Sequence, residues 1–434
     1  MILVFASCKF PELPPLETDA DVGTDADAAI DAGPPECSAG LQSCIAGALT
    51  QCGADSRYMR YGVPNGGPAG EAITVTMHDY PCPLGCHASE PRCADVAPSN
   101  GLIGAMDSVN VSLTGLDVVL DDASGDILVS TNNGAPNGEL VFVESGGTQI
   151  PVPADVVTQS NGVDIVVLKV RSFTLGLGVH LKLAGTKAVA IASHLDVYID
   201  GHLDLSGTTI GAGPSTNTAC NVAFAPGAGG GGGNYENGGN ASSGAAGGSH
   251  MQSASLVPLE GGCSNYLGVG GRAIQIVSRT RVALSPTGII NVSGRQGNGL
   301  FGSGVLYAFG GGSGGAGLVE SPSIVLALGS RIAGRGGSGA AANGANNTFA
   351  SGTAGDADLA STSVPGATCS GCGTGGNGGT ESTPPTAGTG ISGSTLGGGG
   401  GSVGRCVVTN RSGILLPPSG TMKVRYTPRV LATR

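Results

Sequence analysis

Three acidic side chains recur at even spacing along residues 195–205, where the alternate residues are apolar. Asp196, Asp200 and Asp204 fall on the polar side of this alternation, together with Tyr198 and His202. Cleavage of a glycosidic bond uses two carboxylates about 5–10 Å apart, so the pattern is compatible with binding or cleaving a polysaccharide. The same pattern also fits a solvated outer face whose acids pair with bases on neighbouring repeats. We expect the solvated outer face, keep these five residues as the candidate ligand-binding face, and assign no catalytic residue.

Cysteines form the second group of residues with chemical potential. Six of them lie close together in the first quarter of the chain, at Cys37, Cys44, Cys52, Cys82, Cys86 and Cys93. Such a cluster is typical of a disulfide framework formed in an oxidising compartment. Zinc is the alternative, but His78 and His87 do not have the spacing of a zinc site. We expect a small disulfide-rich module over residues 36–97, with a strand at Ala72–Met77 and no metal.

Five further cysteines are scattered among glycine-rich sequence. They are Cys220, Cys263, Cys369, Cys372 and Cys406. The first two bracket a long glycine-rich stretch and are expected to close it with a disulfide. The Cys-Ser-Gly-Cys spacing of the next two predicts a loop disulfide, although one partner could instead reach Cys406. The odd number predicts one free thiol or one intermolecular bridge.

The N-terminal residues resemble the processing site of a bacterial lipoprotein. Val4–Cys8 reads Val-Phe-Ala-Ser-Cys, in which two small residues precede the cysteine. So few residues precede it that we expect the natural start to lie further upstream, the alternative being a chance match. Residues 9–35 carry six acids between Glu17 and Asp31 and should form an extended tether. We expect residues 1–8 to be a signal remnant, Cys8 to be lipidated, and the membrane to be a partner through that anchor.

The overall charge argues against nucleic acid as a partner. The chain carries 20 basic and 31 acidic residues, a net charge of −11, whereas nucleic-acid phosphates attract a basic surface. Matches to the dinucleotide-binding glycine motif fall inside glycine runs and not between a strand and a helix. We therefore expect no cofactor and no nucleic-acid partner.

An internal repeat predicts the fold. Residues 173–185 align without gaps to residues 195–207, so that His180 meets His202, and both copies alternate apolar and polar side chains. A third copy lies at Thr280–Gly294 and a weaker fourth copy at Leu318–Gly334. Cys406–Val408 and Ile414–Leu416 could supply a last, imperfect coil. Short strands repeated in register predict an all-β fold of the parallel β-helix type over residues 98–434. A β-sandwich is the alternative.

Glycine is abundant and unevenly distributed. The chain has 80 glycines among 434 residues, and they concentrate in three inserts at about 208–271, 295–317 and 335–402. Each insert leaves the repeat at the same small-residue turn, after Gly207, Gly294 or Gly334. If the coils stack, the three exits lie on one edge, about 5 Å apart. The inserts would then form one ordered glycine-rich array of extended chains; three flexible loops are the alternative.

The combination of features resembles the glycine-rich surface lipoproteins of the myxobacterial type. The resemblance rests on Ala-Ser-Cys8, the Asp/Ala tether, the six-cysteine module ending Cys-Pro-Leu-Gly-Cys86, and Leu195–Gly207 running into glycine-rich sequence. A looser likeness to mycobacterial glycine-rich surface proteins is driven by composition. The resemblance implies a location at the cell surface and implies no reaction.

Two functions from different classes are compatible with these observations. The first is a non-enzymatic, lipid-anchored protein of the bacterial envelope, structural or adhesive, which displays a glycine-rich face on a β-helix. Its partners would be the membrane and a surface polysaccharide or matrix. The second is a carbohydrate-binding or carbohydrate-cleaving β-helix acting through the face from Asp196 to Asp204. Converging carboxylates and an aromatic platform would favour the second.

Overall fold

The structure is a computed structural model, and the regular secondary structure of its described residues consists of strands. The residues it describes are 42–45, 48–52, 58–60, 80–81, 95–102, 117–120, 126–130, 139–143, 147–185, 187–207, 220, 224–225, 227–249, 253–264, 267–302, 305–356, 361–391, 395–414, 417–418 and 421–433. These residues form 30 strands and no α-helix, which confirms the all-β prediction. None of the described residues belongs to a helix that could span a bilayer.

Some of the sequence-based expectations concern residues outside those described. These are the lipoprotein site with Cys8, the tether, the strand at Ala72–Met77, and four module cysteines, namely Cys37, Cys82, Cys86 and Cys93.

The strands are short, most of them three to six residues long. In the first half of the chain they are β1 Gln42–Ile45, β2 Ala48–Cys52, β3 Tyr58–Arg60, β4 Tyr80–Pro81, β5 Asp117–Leu120, β6 Asp126–Ser130, β7 Glu139–Val143, β8 Gln149–Thr158, β9 Asp164–Val170, β10 Ser172–Leu175, β11 His180–Ala184, β12 Ala188–Ser193, β13 Val197–Ile199 and β14 His202–Asp204. In the second half they are β15 Phe224–Ala225, β16 Ala228–Gly229, β17 Ala273–Ser278, β18 Arg281–Leu284, β19 Ile289–Asn291, β20 Gly299–Gly302, β21 Val305–Ala308, β22 Ala316–Glu320, β23 Ser323–Leu326, β24 Arg331–Ala333, β25 Ala341–Asn343, β26 Thr348–Ala350, β27 Thr395–Gly397, β28 Arg405–Asn410, β29 Met422–Lys423 and β30 Arg425–Val430.

Most strand pairing is parallel and falls into three ladders. The first ladder runs β5-β10-β13-β18-β23, the second runs β6-β11-β14-β19-β24-β29, and the third runs β9-β12-β17-β22-β28-β30. In each ladder, a strand pairs with the corresponding strand of the next pass of the chain. The antiparallel hairpins β6-β7-β8-β9 connect the second and third ladders into one 14-stranded sheet.

The ladders confirm the repeat and correct part of its register. In the second ladder His180 pairs with His202, as the ungapped alignment predicted. In the first ladder Phe173 pairs with Val197 and not, as the same alignment predicted, with Leu195. The corner between β10 and β11 has four residues, whereas the corner between β13 and β14 has two. A shift of two residues keeps the same side chains inward, because side chains alternate with a period of two.

The third and fourth copies pair as expected and bring the insert exits together. Ser193 pairs with Ser278 in the third ladder, and Asp204 with Asn291 in the second. Just beyond these strands, the Gly207 amide donates to Ser293 and the Gly294 amide to Arg335, both at 2.8 Å. The exits after the second and third copies therefore lie on one edge of the molecule.

The main core is built from inward-facing side chains of all three ladders. Val118 of the first ladder, Leu181 of the second and Val189 of the third belong to one cluster of buried apolar residues. Because each strand is only a few residues long, no single pass of the chain can bury this surface without its neighbours.

The third ladder is buried on both faces. Its outer face carries a second apolar cluster, which residues 95–102 and 253–259 cover with Val96, Leu102 and Leu256. A polar clasp holds the first of these segments: the Ser99 hydroxyl donates to Glu320 at 2.8 Å, and the Gln275 amide donates to Glu320 at 2.6 Å. A parallel strand that is covered on both faces has a nearly continuous apolar sequence, as in β17 and β22.

The last coil differs from its prediction. Cys406–Val408 lies in β28 of the third ladder as expected. Ile414 is 66% exposed and lies outside any strand. The chain turns at Gly413, which has a φ of +67°, and the second ladder is completed instead by β29. Residues 415–416 are outside those described.

Smaller sheets complete the described structure, and their strand pairs are antiparallel except for β16 with β21. Strands β1–β4 form a four-stranded sheet within the cysteine-rich region. Two further sheets, β15-β16-β21-β20 and β26-β25-β27, are formed by the glycine-rich inserts.

Candidate functional site

The acidic face predicted between Asp196 and Asp204 is divided between two ladders. Strand β13, with Tyr198, belongs to the first ladder, and β14, with His202 and Asp204, belongs to the second. Asp196 immediately precedes β13 and Asp200 immediately follows it. A corner of the chain therefore separates the last acid from the other two.

Asp196 forms an ion pair across neighbouring coils. The Arg281 guanidinium donates to its carboxylate from Nη2 at 2.6 Å and from Nε at 3.0 Å, and the Thr280 hydroxyl donates at 2.5 Å. The side chains of Arg281 and Asp196 are 52% and 41% exposed. A pair this exposed contributes about 0–1 kcal/mol to stability. The Arg281–Asp196 pair therefore fits a solvated outer face on which acids pair with bases of neighbouring repeats.

Asp200 accepts hydrogen bonds from two hydroxyl groups of the next coil. The donors are Ser285 and Thr287, in the turn between β18 and β19. The earlier acid Asp117 is held in the same way, by Arg171 at 3.0 Å and by the Ser172 hydroxyl at 2.6 Å. Acids at these corners thus bind the adjoining coil.

Asp204 is buried, which corrects the expectation of an exposed acid. Its side chain lies opposite Leu203, as the alternation predicts, but it is only 7% exposed. The Asn291 amide donates to Asp204 at 3.2 Å and to Asp356 at 3.1 Å, so it joins the strand to the third glycine insert. That insert covers the polar side of the second ladder near this position.

His202 is also half covered. Its ring meets the ring of His180 edge-on, with centroids 5.1 Å apart. Burial lowers the pKa of His202; the charge of Asp204 opposes this effect, and His180 reinforces it. We therefore expect a neutral imidazole at neutral pH.

The arrangement does not bring the three carboxylates together at one reacting atom. Each accepts hydrogen bonds from neighbouring residues, and the last is buried. Tyr198 is 39% exposed and supplies one aromatic ring on the outer face. Among the described residues, no group of three His, Cys, Asp or Glu side chains could hold a metal ion.

Comparison with protein-family models, with curated proteins and with solved structures found no match to this chain.

The later cysteines are resolved into two pairs and one thiol. Cys220 and Cys263 form a disulfide that closes the first insert, and Cys369 and Cys372 form a loop disulfide; the Cα atoms are 5.2 Å apart in both pairs. Cys406 is free and buried in the core. Burial raises the pKa of its thiol to about 12, so it is unreactive in the folded protein. Of the module cysteines, Cys44 lies in β1 and Cys52 in β2.

The glycine-rich inserts pack into one ordered unit. We call this unit the glycine bundle; its segments are 229–233, 294–297, 310–315, 336–340, 375–379 and 398–404. Backbone amides of one segment donate to carbonyls of the others throughout the bundle. An ordered array, and not three flexible loops, is therefore the arrangement that the structure has.

The hydrogen bonds of the bundle repeat every three residues. One set of bonds joins Gly398 to Ala340, Gly401 to Gly337 and Gly404 to Gly334, at 2.9, 2.8 and 2.6 Å. A second set joins Gly399 to Gly229 and Ser402 to Gly232, at 3.1 and 2.8 Å. A β-strand would alternate with a period of two. A period of three is typical of polyproline-II helices, which have three residues per turn and no internal hydrogen bonds.

Glycine is needed in the bundle because the segments lie so close together. A Cβ atom built on Gly314 would lie closer than 3.0 Å to the carbonyl oxygen of Gly334 and to the amide nitrogen of Gly404. Segments 310–315, 336–340 and 398–404 are buried along their whole length. The glycines therefore form an interior, which corrects the expectation of a glycine-rich surface.

The sequence did not predict two clusters of charged residues associated with this bundle. Arg335 is fully buried and donates to Glu381 from Nε at 3.1 Å and from Nη2 at 3.2 Å. Tyr235 contacts Arg405 and Arg425 through its ring. The repeated Gly-Gly-x pattern of residues 374–379 does signal the period of three, because Thr374 and Asn377 are its exposed positions. No local pattern signals the charged partners, since they come from distant parts of the chain.

Proposed function

We propose that this protein is a non-enzymatic surface lipoprotein with a structural or adhesive role, in which a parallel β-helix carries the glycine bundle. The β-helix is supported by three parallel ladders whose inward residues share one core. The observation that carries the non-enzymatic role is the state of the predicted acidic face, where Asp196, Asp200 and Asp204 all hold neighbouring coils together.

The extracytoplasmic location is supported by cysteine chemistry. One disulfide joins Cys220 to Cys263, which are 43 residues apart in the sequence, and a second joins Cys369 to Cys372. Disulfides persist in oxidising compartments outside the cytoplasm. The Ala-Ser-Cys8 sequence and the acidic tether supply the proposed membrane anchor.

Mass spectrometry of the protein isolated from its native membrane tests this proposal. We expect a diacylglyceryl group on Cys8 and partition of the protein into the detergent phase. Replacement by Cys8→Ala should release the protein into the aqueous phase while leaving its circular dichroism spectrum unchanged. An unmodified Cys8 thiol on a soluble chain would contradict the lipoprotein proposal.

Carbohydrate binding through the outer face is the second candidate, favoured by the exposed ring of Tyr198 beside Asp196. Lyase and hydrolase assays on a panel of polysaccharides separate cleavage from binding. Loss of a measured activity in Asp196→Asn and Asp200→Asn, with unchanged stability, would favour the enzyme. No turnover of any member of the panel would favour the structural role.

A further inference from the structure

Two arginines lie side by side at the end of the third ladder. Arg405 of β28 pairs directly with Arg425 of β30 in parallel register. Both guanidinium groups contact the ring of Tyr235, at 4.9 and 5.2 Å from its centroid. Cation–π contacts hold the two cationic groups in place on one aromatic surface.

Neither of these two arginines forms an ion pair with an acid of the described part of the chain. No described carboxylate lies within 4.0 Å of either guanidinium group, and the Nε atoms of both arginines are buried without a hydrogen-bond partner. Glu236 acts on Arg425 electrostatically but forms no ion pair with it. Like charges directly opposite each other on neighbouring strands are destabilising. Arg281, by contrast, forms an ion pair with Asp196.

A third arginine extends the cationic surface along an exposed edge. Among the described strands, β30 ends the third ladder and pairs with β28 alone, so no described strand lies beside its other edge. Arg429 follows Arg425 by four residues on the same face of β30, which places their Cα atoms about 13 Å apart. Burial lowers the pKa of Arg405; Tyr235 opposes this effect, and the positive charge of Arg429 adds to it.

We propose that Arg405, Arg425 and Arg429 bind the anionic groups of an acidic polysaccharide that runs along β30. A guanidinium group donates parallel hydrogen bonds to a carboxylate or sulfate, and the ring of Tyr235 keeps the first two groups oriented for this. A polymer that carries regularly repeated anions can contact both ends of the strand. Glu236 borders the site and limits how closely an anion approaches Arg425.

An acidic polymer fits this site better than an anionic membrane surface. The whole chain has a net charge of −11, so a broad negative surface is repelled by the rest of the protein. A single polymer chain contacts only the arginine-bearing edge. This site goes beyond the surface role proposed above and does not depend on lipidation, because the folded chain would bind the polysaccharide with or without a lipid anchor.

Calorimetric titration with polygalacturonate, with neutral dextran as the comparison polymer, tests this site. We expect binding of polygalacturonate only, weakened by added salt because the contacts are ionic. Arg425→Gln should weaken binding about tenfold, since it removes a charge-assisted contact. The matched control is Arg171→Gln, which also removes one exposed arginine from an outer corner and should change binding by less than about twofold.

If Arg425→Gln disturbs folding, Arg429→Gln serves as the second variant. We expect it also to weaken binding of polygalacturonate. Equal losses in the Arg429 and Arg171 variants would overturn the site. So would the absence of polygalacturonate binding at low salt, or equal binding to vesicles of anionic phospholipid. A lipidation result has no bearing on any of these outcomes, so failure of the surface proposal and failure of this one are distinguishable.

Discussion

At the scale of single residues, an ion pair with a buried arginine lies beside the glycine bundle. Arg335 has no exposed surface, and Glu381 is its partner, with Lys423 also 3.4 Å from the same carboxylate. Burial works to raise the pKa of Glu381, but the hydrogen bond from Arg335 and the two positive charges outweigh it and lower the pKa. The carboxylate therefore stays charged in the folded protein at neutral pH.

Replacing Glu381 tests the importance of this pair. Glu381→Gln leaves the Arg335 charge buried without its counter-ion, and we expect a loss of about 3 kcal/mol in the free energy of unfolding. Urea denaturation measures it, with Ser382→Ala as the control at an adjacent exposed position, where a change within about 0.5 kcal/mol is expected. The lowered pKa means that the contribution of the pair is present above pH 4.5 and is lost as the pH falls below that value. Equal stability of the two variants would rule the pair out as a stabilising contact.

Glu320 should give the opposite dependence on pH. Burial raises its pKa above the ordinary value of 4.5, although hydrogen bonds from Ser99 and Gln275 oppose the shift. Between pH 4.5 and the raised pKa, the folded state binds more protons than the unfolded state, so the contribution of Glu320 to stability decreases as the pH rises. Urea denaturation across this range should show a smaller decrease in Glu320→Gln than in the natural protein. The same decrease in both proteins would show that Glu320 does not cause it.

At the scale of elements, the segments of the bundle tolerate a methyl group only where space exists. Gly314→Ala would place its Cβ against the backbone of Gly334 and Gly404, and we expect a loss of about 2 kcal/mol or more. Gly317→Ala is the matched control three residues further on, where the only close atom is the Cys406 sulfur at 3.6 Å. Thermal unfolding of both variants decides the point. A tolerated Gly314→Ala would mean that the segments do not pack this closely.

The ladders were largely predictable from the sequence, whereas the corners and the covering segments were not. Alternation around Leu181 and Leu203 specifies which face is inward, because side chains of a strand alternate with a period of two. The position of Phe173 opposite Val197 depends on the length of the corner after β10, which no apolar pattern records. Asn291 links the buried Asp204 to Asp356, which belongs to the third glycine insert and is remote in sequence, so this arrangement could not be predicted locally.

At the scale of the whole molecule, the glycine bundle should resist hydrogen exchange as the ladders do. Residues 398–404 are buried, and the amides of residues 398–402 and of Gly404 donate to carbonyls of other segments. Exchange of these amides requires the segments to separate. We expect protection there comparable to that of β17 and β22, measured by mass spectrometry of peptic fragments. The exposed turn residues Ser160 and Asn161, between β8 and β9, provide the fast-exchanging reference. Immediate exchange throughout residues 398–404 would contradict a packed bundle.

The amino-acid sequence by itself determined the all-β class, the repeating strands and the common exit of the glycine inserts. These are local properties, since apolar alternation and a small-residue turn can be read within one repeat. Only the tertiary structure decided that the glycines of the bundle serve an interior, that Asp204 is covered, and that Arg405 and Arg425 meet on Tyr235. The physical reason is that close backbone packing and charge pairing join segments that are far apart in sequence. A local sequence pattern does not specify which distant segment packs against it.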